Sequence, residues 1–346
     1  AIITKLLDHY AAESSHLSWE LKDPALYPTF ATQYGATDVT NGSLILVCGE
    51  NSTVLDAADL YEEDYSNYSL TGTSSVTFDG ENKITSAIYR LTSGEEHHAY
   101  YTTNHGEQTL TDTLTSALEN QNLTLTGLDM LSDSIPEDCD LLVINNPVQD
   151  FASAGALVDE MSDLRGYLSR GGKLLITTDS YNRTPNLDAL LAEYGMTRQE
   201  GLVIENDSSY YLYGTAQTCL LPNLSSNEIT AGVTDGMHVF TPVAQGIVKG
   251  DSTDDLTLTT LLSTSSTAYS MQATAEQGEN DPNGPFNIAV AASNSTTGAK
   301  VVWVNCANLL NSKGIEYVAR EYASLLIGGN AQLLTSTVNW MNGEEN

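Results

Sequence analysis

The chain has 346 residues, with 13 Lys or Arg against 45 Asp or Glu, which gives a formal net charge of -32. Such a surface repels phosphates and anionic headgroups, so nucleic acids and acidic membranes are excluded as partners. No Asp-x-Asp-x-Asp-Gly loop is present, and the acidity therefore indicates solubility rather than calcium binding. This length predicts two domains.

Residues 1–80 are predicted to form the first domain. Hydrophobic periodicity and turn residues give the order helix, strand, helix, strand, strand, helix. This order is that of a thioredoxin-like unit lacking its first strand, and because no Cys-x-x-Cys pair is present, a redox role is not expected. The polar run 62–81 is predicted to be the linker. The predicted elements are a helix over 1–14, a strand over Leu17–Leu21, a helix over Pro28–Tyr34, strands over Ser43–Cys48 and Thr53–Leu55, and a helix over Ala57–Tyr61.

Residues 81–346 are predicted to form an α/β domain. Apolar runs that are the length of strands alternate with helical segments, which is typical of a parallel sheet covered on both faces. The predicted helices cover Gln108–Gln121 and Ala156–Leu168. The Gly171-Gly172 pair suits the turn from a helix into a strand. The predicted strands are Ile84–Leu91, Leu123–Leu128, Asp140–Asn145 and Lys173–Thr178.

The remainder of this domain is less regular. A helix is predicted over Leu187–Tyr194, followed by a β-rich addition with long loops over 205–298, rich in Thr, Ser, Asn and Gly. A buried strand at Ala299–Asn305 and a helix at Ala331–Met341 complete the domain. No apolar run reaches the roughly 18–20 residues that a membrane-spanning helix needs. Because both ends lie within helical patterns, we expect the soluble piece of a larger protein.

The four cysteines are predicted to be buried free thiols. They are Cys48, Cys139, Cys219 and Cys306, and three of them lie in or beside apolar strand patterns. Nothing in their spacing indicates a disulfide framework, although the sequence leaves a single disulfide open.

The ordered set of motifs resembles the auxiliary family of ABC transporters that includes the gliding-motility protein GldG. The family's strand and Gly-His-Gly-Glu turn are matched by Tyr100–Glu107 (YYTTNHGE), with Asn104 in place of the first Gly. Asn tolerates a positive φ better than most residues, so the turn itself is expected to persist. Further likeness lies in Gly42–Val47 (GSLILV), Ile135–Pro147 (IPEDCDLLVINNP), Leu164–Ile176 (LRGYLSRGGKLLI) and Leu333–Trp340 (LLTSTVNW).

The resemblance implies a bacterial protein anchored in the cell membrane by segments outside this sequence, with its soluble part on the extracytoplasmic side. Its implied partners are an ABC-2 type permease and the ATPase subunit of that permease. It also implies a flavodoxin-like or class I glutamine amidotransferase-like core without catalysis. The residues after the fourth predicted strand, Thr178-Asp179-Ser180-Tyr181, contain no Gly-x-Cys-x-Gly elbow. Because the nucleophile is absent, we expect no amidotransferase reaction and no cofactor.

One candidate site is predicted where parallel strands end. Ligands bind at this edge of open α/β sheets, and helix N-termini there favour anions. A small ligand or a partner peptide would be bound by His105, Gly106, Glu107, Asn145, Asn146 and Asp179. The alternative is that Glu107 and Gln108 only cap a helix while Gly106 makes the turn.

Other candidate sites have weaker patterns. The run Glu95–His98 has the residue types of a zinc site, but adjacent loop residues rarely converge on one ion, so solvated charge is favoured and no metal is expected. No spacing links Asp179 and Ser180 to His105 as a triad, and a hydrolase or ligand-binding surface protein using the cleft around His105 is the rival function. The tyrosine pairs Tyr100-Tyr101 and Tyr210-Tyr211 suit either recognition or packing on a strand face.

Overall fold

The chain forms two compact units, Ala1–Glu96 and His97–Asn346. The computed structural model describes residues 2–23, 25–27, 29–35, 39–64, 75–93, 97–111, 115, 118, 121, 123–234, 236–272, 278–279, 281–310 and 323–343. Each unit has its own apolar core.

Within its described residues, the first unit contains two α-helices and two antiparallel strand pairs. Helix α1 (Ile2–Glu13) precedes a 3₁₀ turn (Ala31–Tyr34). Antiparallel pairs are formed by β1 (Leu44–Cys48) with β2 (Asn51–Leu55) and by β3 (Tyr61–Asp64) with β4 (Ser75–Phe78). Helix α2 (Gly80–Ser93) closes the unit. The hairpin predicted at Ser43–Leu55 is confirmed, whereas Leu17–Leu21 lies in no strand and β3 begins at Tyr61, where a helix was predicted to end. The thioredoxin-like assignment stays a prediction from the sequence.

The prediction of a strand at Ile84–Leu91 is wrong, because this segment lies within α2. Ile84, Ala87 and Leu91 are buried, and the Ile88 side chain packs against the same core. Their spacing is i, i+3, i+4, i+7, which is the stripe of an amphipathic helix and not the alternation of a strand.

The predicted linker at 62–81 is also corrected. Strands β3 and β4 occupy both ends of this run, and residues 65–74 lie outside the described residues. The division between the units falls after Glu96 rather than after residue 80, because Ile84 and Ala87 of α2 pack into the core of the first unit.

The second unit is α/β with a central parallel sheet, as predicted. Its five parallel strands lie in the order β6-β5-β7-β8-β18. The chain leaves β5 for β6 on one side and then returns to β7 on the other, so the strand order reverses between β5 and β7. These strands are β5 (His97–Thr102), β6 (Leu123–Leu128), β7 (Cys139–Asn145), β8 (Lys173–Thr177) and β18 (Lys300–Val304).

Antiparallel strands extend the sheet beyond β18. Strand β17 (Asn287–Asn294) pairs with β18 and with β15 (Leu256–Ser263), which pairs with β12 (Asn223–Leu224). The predicted β-rich stretch thus contributes its two longest strands to the central sheet. In the same sheet, β14 (Ile247–Lys249) pairs with β17 and with β9 (Met196–Arg198). Two separate two-stranded sheets are formed by β10 (Leu202–Ile204) with β16 (Tyr269–Met271) and by β11 (Cys219–Leu220) with β13 (Thr241–Pro242).

Three helices belong to the described part of this unit: α3 (Glu160–Ser169), α4 (Pro185–Glu193) and α5 (Ala323–Asn342). The Asp159 side chain caps α3 by accepting from the Ser162 amide. Half of the predicted helix at Gln108–Gln121 lies outside the described residues. No helix in the described ranges combines the length and apolar character that crossing a membrane requires.

Candidate functional site

The predicted site residues lie at the carboxyl edge of the parallel strands, next to the reversal of strand order. His105, Gly106 and Glu107 follow β5, Asn145 ends β7, and Asp179 follows β8. Ligand sites of open α/β sheets occur at this position. The fold therefore brings these residues to one edge of the sheet, as expected from their positions after parallel strands.

Positive φ angles shape the turn after β5. Asn104 has φ 75° and Gly106 has φ 73°. A Cβ built on Gly106 lies 3.1 Å from the Val148 Cβ, so glycine is required there by both the backbone and its neighbour. Asn104 Nδ2 donates to Asp129 Oδ2 at 2.5 Å, which fixes this turn to the loop after β6.

His105 is buried between two carboxylates. Its side chain is 3% exposed, Nε2 lies 3.1 Å from Glu160 Oε2, and Nδ1 lies 3.4 Å from Glu107 Oε1. Nδ1 also donates to the Thr103 carbonyl at 3.2 Å. The ring stacks on Phe151 with a centroid distance of 4.1 Å. A ring with both nitrogens facing acceptors is best matched by the doubly protonated imidazolium.

The charge of this cluster follows from its geometry. Burial alone would lower the pKa of His105, but Glu107 and Glu160 outweigh it and raise the pKa to about 9. Burial likewise opposes ionisation of Glu107, yet the His105 ring and amide lower its pKa. A histidine that is protonated near neutral pH and has both nitrogens engaged is poorly suited to act as a general base.

His105 also holds the loop after β7. Its carbonyl accepts from the amides of Val148 at 2.9 Å and Gln149 at 2.8 Å. Glu160, at the start of α3, accepts from the Ala152 amide at 2.8 Å. The turn after β5 and the segment 148–160 are therefore fastened together through one imidazole and one carboxylate.

The other predicted residues make similar connections. Asn145 exchanges hydrogen bonds with the backbone of Gln108 and accepts from the Thr177 hydroxyl at 2.8 Å. Asn146, with φ 52°, donates from Nδ2 to Asp179 Oδ2 at 3.1 Å. Asp179 also accepts from the Tyr181 and Asn182 amides. Asn146 and Asp179 thus join the loops after β7 and β8, and ligand binding by these residues stays a prediction.

An open cleft of about 690 Å³ lies on the β6 side of the turn. Gly106 and Glu107 are the predicted site residues that line it, together with Tyr101, Asn104, Gln108 and Leu125 among others. Gln108 Oε1 is buried and has no hydrogen-bond partner within the described residues. The ring of His105 does not line this cleft, because it faces Phe151 and Glu160.

A second buried cation lies under the ends of β8 and β18. Arg198 donates to both oxygens of Asp188, at 2.8 and 3.1 Å, and to Gln245 Oε1 and Asn305 Oδ1 at 2.9 and 3.3 Å. Its guanidinium lies 5.6 Å from the Trp303 ring centroid. Sequence reasoning found neither this cluster nor Glu160, because the partners are distant along the chain.

The weaker candidates are resolved in part. Glu95 and Glu96 lie outside the described residues, while His97 Nδ1 lies 3.1 Å from Asp140 Oδ2 and His98 Nε2 lies 3.7 Å from Asp138 Oδ2. Within the described ranges, no group of three or more potential ligands converges on a metal position. Both ring nitrogens of His105 contact Glu160, Glu107 and the Thr103 carbonyl rather than Asp179 or Ser180.

All four cysteines are free thiols, as predicted, but Cys48 is exposed rather than buried. It lies at the end of the β1–β2 hairpin, at the tight turn into β2. Burial raises the pKa of Cys139 to about 11 and that of Cys306 to about 12, so neither forms a thiolate nucleophile near neutral pH.

Comparison with solved structures shows a likeness of fold. The mmIFT52 N-terminal domain matches with a TM-score of 0.50 and 16% identity, covering 70% of this chain and 96% of that domain. A glutamine amidotransferase from Thermotoga maritima matches with a TM-score of 0.39 and 12% identity, covering 72% and 99% of the two chains. PurLQS from the same organism gives 0.35 and 13%, covering 71% and 99%.

No family model and no curated protein matches the sequence. At these identities only the fold is shared, and the two amidotransferase scores are too low to carry an argument. The chain is an α/β protein whose fold is similar, over 70% of its length, to that of the mmIFT52 N-terminal domain.

Proposed function

We propose that this protein is a non-catalytic accessory component of an ABC-2 type transporter, working on the extracytoplasmic side of a bacterial membrane. The observation that carries the non-catalytic part is the state of His105. It is buried, protonated near neutral pH, and held by Glu160, Glu107 and the Thr103 carbonyl. Its role is to hold loops in place rather than to transfer protons.

The absence of a nucleophile after β8 supports the same conclusion. Thr178-Asp179-Ser180-Tyr181 follows this strand. Thr178 Oγ1 donates to Asn305 Oδ1, and Asp179 is committed to Asn146 and the amides of its own loop. Activated nucleophiles require an adjacent base in hydrogen-bond reach, and His105 is engaged elsewhere.

The transporter part of the proposal rests on the resemblance to the gliding-motility auxiliary family. Its motifs include Tyr100–Glu107 and Ile135–Pro147, and both meet at the carboxyl edge described above. On this resemblance, the permease and its ATPase are the proposed partners.

The test is affinity purification of the full-length protein from its own membranes in mild detergent, followed by mass spectrometry. Recovery of a permease and an ATPase in stoichiometric amounts is expected. A matched purification with an unrelated anchored protein serves as the control. If the protein is recovered alone, the transporter role is wrong.

The cleft beside Gly106 and Glu107 favours a second candidate, binding of a small ligand. Its volume of about 690 Å³ is within the range of ligand pockets, and the buried Gln108 Oε1 lacks a donor within the described residues. A turnover screen with esters, peptides and glycosides distinguishes an enzyme from a binding protein. Activity that disappears in His105→Ala would establish the rival hydrolase.

A further inference from the structure

Exposed apolar side chains are concentrated on the loops that follow the parallel strands. Leu131 follows β6, Val148 and Leu157 follow β7, and Tyr181 follows β8. Leu157 is fully exposed and Tyr181 is 77% exposed. Across the described residues from 97 onward, the large apolar side chains that are exposed are Leu131, Val148, Leu157, Tyr181, Tyr213 and Val248. Four of these six therefore lie on loops at the carboxyl edge of the sheet, and apolar residues that share one surface mark an interaction site.

These loops share one edge of the sheet. Because neighbouring strands are about 4.8 Å apart, the ends of β6, β5, β7 and β8 together span about 15 Å. We call Leu131, Val148, Leu157 and Tyr181 the edge surface. Its width is that of a single helix or a short extended segment of a partner.

The loops of the edge surface are connected to one another by hydrogen bonds of polar side chains and backbone groups. Asn104 joins the β5 turn to Asp129 after β6, and His105 joins the same turn to the β7 loop. Asn146 joins the β7 loop to Asp179 after β8. Each neighbouring pair of loops is therefore fixed, which lowers the conformational entropy lost when a partner binds.

The edge surface lies in an acidic setting. The loops 103–111, 129–138 and 146–159 contain no Lys or Arg. In the β8 loop, Arg183 is paired with Glu200 at 2.8 Å. The acidic residues of the first three loops are Glu107, Asp129, Asp133, Glu137, Asp138, Asp150 and Asp159.

We infer that the edge surface docks a protein segment whose apolar side chains are flanked by Lys and Arg. This inference rests on the proposed function as a non-catalytic binding component and names the surface used. Complementary charge favours such a partner. A second copy of this chain would bring the same acidic loops together across a two-fold axis, and an anionic membrane would repel them.

The test measures binding of a synthetic amphipathic peptide built of Leu and Lys to the 346-residue chain by fluorescence anisotropy. Its matched control is a peptide with Glu in place of Lys. Tight binding of the Leu/Lys peptide alone is expected, weakening as ionic strength rises. Equal binding of both peptides, or binding of neither, would overturn the inference.

Two double variants locate the contact. Leu157→Ser with Tyr181→Ser is expected to weaken binding about tenfold or more, since buried anchors dominate interfaces. Tyr213→Ser with Val248→Ser removes exposed apolar groups elsewhere and is expected to leave affinity unchanged. An equal loss in both double variants would contradict the assignment. Circular dichroism confirms that both variants fold.

Competing occupants are separated by two further measurements. If sedimentation velocity shows that the wild-type chain is a dimer and that Leu157→Ser/Tyr181→Ser is not, the edge surface binds a second copy of the chain and not a partner segment. If the wild-type chain floats with zwitterionic vesicles and the same variant does not, the edge surface binds a membrane and not a partner segment. Recovery of permease and ATPase by this variant as by the wild type would keep the transporter role and reject this surface.

Discussion

The two buried cations of the second unit, His105 and Arg198, are held in similar ways but stabilise different parts of the fold. Arg198 lies among Asp188, Gln245 and Asn305 and connects strands and a helix of the core. His105 lies between Glu107 and Glu160 and connects the loops at the carboxyl edge. Guanidinium stays charged at every accessible pH, whereas imidazole titrates.

The connections of the loop edge therefore depend on pH through His105. In the sequence, His105 has the position of a catalytic or ligand-binding residue. A polar turn at the end of a parallel strand is where ligand sites occur, but here its donors and acceptors are used to hold neighbouring loops. The four predictions that follow test the comparison, from the largest effect to the smallest.

Arg198→Ala is expected to lower the free energy of unfolding of the second unit by about 4 kcal/mol. The substitution leaves Asp188, Gln245 and Asn305 without their shared donor. Urea titration followed by fluorescence of the buried Trp303 measures the loss. Arg183→Ala removes an exposed ion pair and is expected to cost less than about 1 kcal/mol. Equal losses would contradict the role assigned to Arg198.

Raising the pH from 6.5 to 9 is expected to remove at most about 3 kcal/mol of stability. The pKa of His105 is raised from 6.5 to about 9, so its contribution is complete below pH 6.5 and is lost as the pH passes 9. The pKa of Glu107 is lowered, so its contribution is present above pH 4.5 and is lost at lower pH. Urea titrations carried out from below pH 4.5 to above pH 9 measure both limbs, and the alkaline limb should disappear in His105→Gln.

Glu160→Gln is expected to cost about 2 kcal/mol, because the buried imidazolium loses one of its two charged partners. It should also lower the pKa of His105, which an NMR titration of the ring follows. Glu193→Gln is the matched control, since Glu193 forms an exposed pair with Arg165. If the pKa of His105 is the same in Glu160→Gln as in the wild type, Glu160 does not stabilise the protonated ring.

Gly106→Ala is expected to cost about 1 kcal/mol more than Gly214→Ala. Both glycines have positive φ, 73° and 77°, but a Cβ at Gly106 meets Val148 whereas at Gly214 it meets nothing within 4 Å. Thermal unfolding of the two variants measures the difference. Equal midpoint temperatures would mean that the β7 loop moves away from the added Cβ without a loss of stability.

Much of the second unit could be predicted from the sequence. Asp140–Asn145, Lys173–Thr178 and Ala299–Asn305 contain apolar runs, whereas Leu123–Leu128 alternates Leu with Thr or Gly; the structure has β7, β8, β18 and β6 there. Parallel strands buried on both faces keep such runs because neither face meets water. Ile84–Leu91 was misassigned because a short apolar segment fits a helix or a strand unless its spacing is counted.

The sequence predicted where the candidate site lies, but not which residues its side chains contact. The turn at Asn104–Glu107 follows from local rules, since Asn and Gly are the residues that accept positive φ. Glu160 could not be found as the partner of His105, because an acidic residue in the first turn of a helix is ordinary and nothing local indicates what it faces.

The residues alone predict most strands of the parallel sheet, the lack of a Gly-x-Cys-x-Gly elbow after β8, and acidic loops at 103–111, 129–138 and 146–159 that contain no Lys or Arg. Only the tertiary structure decided the strand order β6-β5-β7-β8-β18, and with it which loops are neighbours. The physical reason is that periodicity and turn preferences act over a few residues. The pairing of His105 with Glu160 and the alignment of four exposed side chains arise only when parallel strands end at one edge.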